Sequence, residues 1–314
     1  MVKKQGKHYK WELLALLSLA FFTHQAGRAV LGIVVSDVQH DLGLSDEMMG
    51  RVPAILSIVL GVMIPISGIL GDRYSRKWII TGTLIIGMAA TGLAGVSVGF
   101  FTLLLFYSFT SASCEALYAP SGYSLLASFH KTTRAIAMSI HQSALYIGVM
   151  TCGFLAAVIS EHWGWRWAFG VFGLFGVLLG IVAIFRLQDA PHDYAEAVGE
   201  NTKPGVLESL RVLTSIPSAM LLTLGFTAIV FVNNIYWFWV PKYMQDPDGL
   251  FQLTKTQSSG VFTYHVIAAM ITILIGGLIT DRCVKRIPTF RLRLQVVALL
   301  LGAPALFMIG KSTS

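Results

Sequence analysis

Charged residues are scarce in this sequence. Asp, Glu, Lys and Arg make up 12% of its 314 residues, about half the share found in soluble domains, whereas 55% of the residues are hydrophobic. This composition excludes a chain that is mostly a soluble domain and indicates a membrane protein. Nine apolar runs are long enough to cross a bilayer as helices. These runs cover residues 13–35, 52–71, 78–98, 101–129, 135–160, 165–185, 219–243, 258–280 and 292–310.

Cysteine is also rare. The three cysteines, Cys114, Cys152 and Cys283, fall in two apolar runs and one connecting loop, and no pair on the outer side is placed to form a disulfide. None has the spacing of metal ligands. The sequence lacks a Walker-type Gly-Lys loop, a nucleophile elbow and an HExxH zinc-protease motif. We therefore expect a protein that is not an enzyme and that uses no cofactor.

Strand-like alternation is missing too, because the apolar runs are continuous. The predicted fold is an all-α, multi-pass helical bundle. Most of the 23 basic residues fall in alternate connections, starting with the N-terminal segment. Because positively charged loops stay cytoplasmic, we expect the N-terminus on the cytoplasmic side of the membrane. This distribution also accounts for the formal net charge of +7 without a nucleic-acid partner.

A short charged motif occurs twice, after the second run and after the eighth. GILGDRYSRK covers residues 68–77, and GGLITDRCVKR covers residues 276–286. This repetition in register with the runs indicates an internal duplication. We predict a six-helix N-terminal half (1–186), a cytosolic linker (187–217) and a partial C-terminal half with three runs (218–314). The matching positions are Gly68, Asp72, Arg73, Arg76 and Lys77 in the first copy and Gly277, Asp281, Arg282, Lys285 and Arg286 in the second.

The doubled loop and the polar linker after the sixth run resemble the major facilitator superfamily. SCEALYAPSGYSLLASF at 113–129 and WGWRWAF at 163–169 are similar to its anion:cation symporter and Spinster-like branches. In those branches an Asp is usual where Gly27 stands, and a second Arg is frequent where Ser108 stands. The resemblance implies two pseudo-symmetric halves with twelve spans around a central cavity. We therefore expect this chain to be truncated after nine of twelve spans.

In that superfamily the doubled loop acts as a gate. Its Asp approaches the start of a helix in the opposite half, where unpaired N–H groups and the helix dipole favour a carboxylate. The resemblance implies that Asp281 lies close to residues 132–137. The alternative is that the basic residues, such as Arg76 and Lys77, are only the positive anchors that cytoplasmic loops carry.

Arg28 and Glu115 are the charged residues that lie well inside apolar runs. A charge inside a span costs about 2.5–3.5 kcal/mol on insertion scales and marks function by default. The resemblance places their two spans side by side at the cavity. We expect Arg28 to bind the carboxylate or phosphate of an organic anion, and Glu115 to take up a proton when it leaves Arg28. The alternative is a fixed pair that only neutralises two buried charges.

Helical spacing adds neighbours to these two residues. His24 and Gln25 precede Arg28 by four and three positions, and Tyr118 follows Glu115 by three. Polar residues of the fifth and seventh runs are weaker candidates, because hydrogen bonding between helices explains them equally well. The predicted substrate-binding set is Arg28, Gln25, His24, Tyr118, Gln142, Asn233, Tyr236 and Trp237, with His141, Tyr146 and Asn234 as further polar positions along the pathway.

The function predicted from the sequence is secondary active transport by alternating access. The expected cargo is a small organic anion that moves together with protons through a monomer in the lipid bilayer. The expected location is the cell membrane, specifically a bacterial inner membrane. Two alternatives stay open: a Spinster-like carrier of lysolipid-type amphiphiles, and a truncated chain that is a sensor or an inactive relic.

Overall fold

The computed structural model describes residues 8–131, 133–189, 211, 214–283, 286–287 and 289–311. Within these residues the regular secondary structure is helical, without a strand, which confirms the predicted all-α class. The helices are α1 (Tyr9–Ile33), α2 (Val35–Leu42), α3 (Asp46–Arg73), α4 (Arg76–Ala94), α5 (Phe100–Ser111), a π-helix (Ala112–Tyr118), α6 (Ala119–Phe129), α7 (Arg134–Trp163), α8 (Trp165–Arg186), α9 (Pro217–Gln245), α10 (Lys255–Cys283) and α11 (Phe290–Lys311).

The helices correspond to the predicted apolar runs. Seven segments of the described part are long and apolar enough to cross a membrane, and they match the first seven runs. The eighth and ninth runs lie in α10 and α11, which have 29 and 22 residues. The fourth run is split by the π-helix, and the short helix α2 follows the first run. Much of the predicted linker, residues 190–210 and 212–213, lies outside the described residues, so the division into halves stays a prediction.

Glycines allow α4 and α8 to pack backbone against backbone. A Cβ atom added to Gly173 of α8 would lie 2.5 Å from the Cα atom of Gly92 of α4. One turn further along α8, a Cβ on Gly176 would lie 2.3 Å from the side chain of Met88. Small residues are how membrane helices approach each other closely. The small residues of segment 87–95 therefore allow α4 and α8 to pack closely.

Helix α1 lies at the centre of helices α1–α8, which we call the N-terminal set. It packs along α7, where a Cβ on Gly148 would lie 2.6 Å from the backbone oxygen of Phe22. Leu13, Leu17 and Leu31 are fully buried at intervals along α1. One face of α1, with Trp11 and Leu19, is exposed, whereas the polar side chains Thr23, His24 and Gln25 lie on its buried faces.

Helices α9–α11, which we call the C-terminal set, pack against the N-terminal set mainly through α9 and α10 in the described part of the chain. Helix α9 packs against α1, where a Cβ on Gly32 would lie 3.4 Å from the backbone oxygen of Trp237, and α10 packs against α7. The first two thirds of α9, from Pro217 to about Ile235, is largely exposed. The two sets therefore meet at one end of the bundle and separate towards the other.

Candidate functional site

A cavity of about 450 Å³ lies between the two sets. Its walls come from α1, α3, α5, the π-helix and α7 on one side and from α9 and α10 on the other. The lining is mostly apolar, and the charged residues in it are Arg28 and Glu115. The cavity therefore has one pair of charged residues in an otherwise mostly apolar lining, and both sets contribute lining residues.

Arg28 and Glu115 form an ion pair at the cavity wall. Nη1 of Arg28 donates to Oε1 of Glu115. The side chains are 27% and 32% exposed, so a molecule inside the cavity can reach both. The second terminal nitrogen, Nη2, lies 3.5 Å from Oδ1 of Asn234 on α9. One guanidinium thus contacts a carboxylate of the N-terminal set and an amide of the C-terminal set.

Glu115 is presented by the π-helix. In this wider turn each N–H bonds to the carbonyl five residues back, and such turns are frequent at functional sites. Around it, the phenol of Tyr107 donates to the backbone oxygen of Arg28 at 2.9 Å, and Nε2 of Gln25 lies 3.5 Å from Sγ of Cys114. These contacts connect α1 to α5 and to the π-helix at the level of the ion pair, and so they hold the pair in place.

Polar contacts join the two sets beyond the C-terminal end of α1. Asp37 pairs with Lys255, and Asp46 pairs with Lys242. Glu161 accepts from the backbone N–H of Thr256 at 2.9 Å, near the start of α10, and from the hydroxyl of Thr256 at 2.6 Å. We call these three contacts the latch, namely Asp37–Lys255, Asp46–Lys242 and Glu161–Thr256. The latch lies at the end of the bundle where α1 and α9 also approach each other.

The family model described as "Major Facilitator Superfamily" matches residues 17–314, which is nearly the whole chain. The chain belongs to the Major Facilitator Superfamily. This membership confirms the resemblance seen in the sequence and the class of non-enzymatic, multi-pass membrane proteins. The helical bundle is thus a fold of this superfamily.

Curated relatives in the superfamily are distant in sequence. Protein spinster of Drosophila melanogaster is 25% identical over 310 residues, which are 95% of this chain and 50% of that protein. The hexuronate transporter of Bacillus subtilis (strain 168) is 22% identical over 281 residues, 88% of this chain and 66% of that protein. The chain therefore spans about half the length of the spinster relatives and two thirds of the hexuronate transporter.

Solved structures share the fold. A bacterial homolog of the human lysosomal transporter Spinster, in an inward-facing and unoccupied conformation, matches with a TM-score of 0.75 and 20% identity over 90% of this chain and 64% of that one. The nucleoside transporter NupG matches with a TM-score of 0.62 and 16% identity over 87% and 68%. Both likenesses concern the fold alone.

Four of the predicted substrate-binding residues line the cavity: Arg28, Gln25, Asn233 and Trp237. Tyr146 and Asn234 line it as well. Tyr107 was not singled out in the sequence, because it lies in an aromatic segment, FFTLLLFY, that carries no helical periodicity. The structure therefore brings together Arg28 and Glu115, whose spans the family resemblance placed side by side, with a phenol and two amides around them.

The other four predicted residues lie away from the cavity lining. His24 is fully buried against α4 and Tyr118, and the phenol of Tyr118 donates to the backbone oxygen of Leu17 at 2.6 Å. Gln142 accepts from Tyr123 at 2.8 Å on an exposed surface. Tyr236 packs against the rings of two α10 residues. Its ring partners are Phe262 and His265.

The doubled loop is described only in part. Arg76 and Lys77 begin α4, and Nζ of Lys77 lies 5.4 Å from the ring centroid of Trp78. Arg286 is exposed after α10. The predicted approach of Asp281 to residues 132–137 stays a prediction. For the remaining candidates of the loop, the structure describes at most the backbone. These are Gly68, Asp72, Arg73, Gly277, Asp281, Arg282 and Lys285.

Proposed function

We propose that this chain transports an organic anion together with a proton by alternating access. The observation that carries the proposal is the ion pair between Arg28 and Glu115 at the wall of a cavity that both sets line. A pair sealed in a protein core only neutralises charge. This pair is reachable from the cavity, so a ligand that enters can separate its partners.

Arg28 supplies the anion site. A guanidinium stays protonated at every physiological pH and presents a planar fork of donors that matches a carboxylate or a phosphate. Gln25 and Asn233 line the same cavity and offer amide groups to the rest of the ligand. An anion that binds Arg28 has to accept the hydrogen bond that Nη1 of Arg28 now donates to Glu115.

Glu115 supplies the proton site. When an anion takes the guanidinium of Arg28, the carboxylate of Glu115 is left at the cavity wall without its cation. Proton uptake neutralises that carboxylate. Anion and proton therefore bind together, which is the condition for symport.

Membrane location and orientation are part of the same proposal. The distribution of basic residues supports a cytoplasmic N-terminus, so the latch belongs to the outer side and the cavity opens towards the cytoplasm. The halves are 1–186 and 218–314, joined by the cytosolic linker 187–217. We propose a bacterial inner membrane as the location and a monomer as the working unit.

A second candidate is a carrier of lysolipid-type amphiphiles. The wall that α9 contributes includes Phe226, Ile229 and Val230, and Phe226 is 68% exposed, so the cavity is not sealed on that side. An anionic head group at Arg28 would leave an acyl chain lying along this wall. This alternative is the Spinster-like carrier, and spinster proteins are among the relatives of this chain.

Uptake into proteoliposomes tests the proposal. A labelled hexuronate and a labelled lysophospholipid are offered to the purified chain with and without an imposed pH gradient. We expect gradient-driven accumulation of the hexuronate. Glu115→Gln should abolish that accumulation while exchange of labelled for unlabelled anion continues, because Arg28 still binds.

The matched control is Glu47→Gln, which removes a carboxylate from the exposed pair with Arg51. It should leave accumulation unchanged. Unaltered pH dependence in Glu115→Gln contradicts the coupling role of Glu115. Accumulation of the lysophospholipid alone favours the second candidate, and the absence of any uptake favours a sensor or relic.

A further inference from the structure

Asn234 connects the C-terminal set to the ion pair. Its Oδ1 lies 3.5 Å from Nη2 of Arg28, while Nη1 of the same guanidinium donates to Glu115. The distance of 3.5 Å is at the long limit of a hydrogen bond. The guanidinium is thus held firmly by its own set and loosely by the other set.

The orientation of the Asn234 amide suits a contact with a cation. Its Nδ2 donates to the backbone oxygen of Val230, one turn earlier in α9, at 2.9 Å. This bond uses the nitrogen within the helix and leaves the oxygen, an acceptor with two lone pairs, directed at Arg28. The amide therefore offers Arg28 an alternative acceptor that needs no proton.

We propose that Asn234 holds the two sets together when Glu115 is neutral and no anion is bound. A protonated Glu115 accepts more weakly from Arg28, so the guanidinium moves towards Asn234 and their hydrogen bond shortens. The inference rests on the proposed function, because Glu115 must take up a proton.

Three states follow from this competition for one guanidinium. With Glu115 ionised, Arg28 stays with its own set. With Glu115 protonated and the cavity empty, Arg28 bonds Asn234 and resists separation of α1 from α9. With Glu115 protonated and an anion present, the anion replaces Asn234 and the sets are free to rearrange. Asn234 would thus prevent the protein from carrying a proton without its anion.

Asn233 of α9 lines the cavity as well, but among the described residues Asn234 is the α9 side chain that contacts the guanidinium. Among the described residues that α9 and α10 contribute to the cavity lining, none is titratable. On the elements that line the cavity, further titratable side chains include His24 of α1, Tyr107 of α5, Cys114 and Tyr118 of the π-helix, His141, Tyr146 and Cys152 of α7, Tyr236 of α9 and His265 of α10. Of these, Tyr107 and Tyr146 reach the cavity lining beside Arg28 and Glu115. A change of charge at the site therefore points to Glu115.

Hydrogen–deuterium exchange of the purified chain in nanodiscs, without substrate, tests the inference. The measured quantity is the exchange rate of peptides from α2 and from residues 246–256, because opening of the latch exposes them. The main comparison is between the unaltered chain, Asn234→Ala, Glu115→Gln and the double variant. Glu115→Gln stands for the protonated state.

Asn234→Ala alone should change the exchange rate less than twofold. In the Glu115→Gln background the same substitution should accelerate exchange about tenfold, the shift expected for loss of one hydrogen bond to a charged group. Asn234→Asp should slow exchange in both backgrounds, because an aspartate pairs with Arg28 whatever the state of Glu115. Thr227→Ala is the matched control, because this α9 hydroxyl bonds only to the backbone of Thr223.

An equal effect of Asn234→Ala in both backgrounds would overturn the inference, since it would show simple packing that is independent of Glu115. No effect in either background would overturn it as well. The experiment needs no transported substrate. Failure of proton-driven uptake with the non-additivity intact would therefore count against the proposed function alone.

Discussion

Removing the charge of Lys255 should open the latch. Lys255→Met keeps the length of the side chain but ends the ion pair between α10 and Asp37 of α2. The hydroxyl of Ser160 still donates to Asp37 at 2.7 Å, so the carboxylate is not left without a donor. The substitution therefore weakens the closed end of the bundle without leaving a bare charge there.

The size of the effect follows from the exposure of the pair. Exposed ion pairs contribute about 0.2–1 kcal/mol, and breaking a buried pair costs about 3–5 kcal/mol. Asp37 and Lys255 are 28% and 19% exposed, between these limits. After allowance for solvent screening and for the retained Ser160 bond, we expect about 1–2 kcal/mol. The ratio of closed to open molecules should fall by a factor of about 5–30.

Spin-label distances measure this ratio. Labels at His40→Cys and Asp248→Cys lie on exposed positions of the two sets near the latch, with Cys283→Ser removing the partly exposed native thiol. Lys255→Met should add a population at longer distance. Asp41→Asn is the matched control, because Asp41 pairs with Arg166 inside the N-terminal set. An unchanged distance distribution in Lys255→Met would refute the reasoning that this pair holds the sets together.

Two further predictions concern stability. Gly173→Ala should lower the melting temperature in detergent, because the new Cβ would lie 2.5 Å from Gly92 and overpacking costs about 1–3 kcal/mol; an unchanged melting temperature would contradict the close α4–α8 contact. The hydrogen bond from Arg166, and to a smaller extent the one from Trp165, holds the pKa of the Asp41 carboxyl below its usual value of 3.8. The stabilisation is thus present above about pH 4 and is lost as pH falls through the lowered pKa, so thermal melts of Asp41→Asn should differ from those of the unaltered chain at pH 6, and the difference should shrink as the pH falls below about 4.

Hydropathy was sufficient to place the helices, because the bilayer demands about 20 apolar residues for each crossing. The cost of a charge inside a span marked Arg28 and Glu115 in the sequence, and the resemblance to the superfamily placed their two spans side by side. The latch was not, since Asp37 and Lys255 lie in connections far apart in the chain. Whether such residues meet depends on how two groups of helices are placed, and local pattern carries no information about that.

The direction in which side chains point around their helices explains why Tyr118 and His24 do not line the cavity. Tyr118 shares a face with Glu115 only on an α-helix, and the wider π-turn directs it towards Leu17 instead. On α1, Gln25 and His24 flank Arg28 to the left and to the right around the helix, because they precede it by three and four residues. Gln25 therefore reaches the cavity, whereas His24 faces α4. Pro120, which has no N–H to give to the preceding turn, was the signal for an irregular helix there.

The π-helix also bears on how this chain is compared with other members of its family. A homologue with one residue fewer between 112 and 118 could continue the same span as an unbroken α-helix. The wider π-turn accommodates one extra residue, so the deletion would leave the helix on both sides in nearly the same orientation while shifting the sequence by one position. A gapless alignment across this segment would then equate Glu115 with a side chain that points elsewhere, and an acidic residue one position away would be the true counterpart.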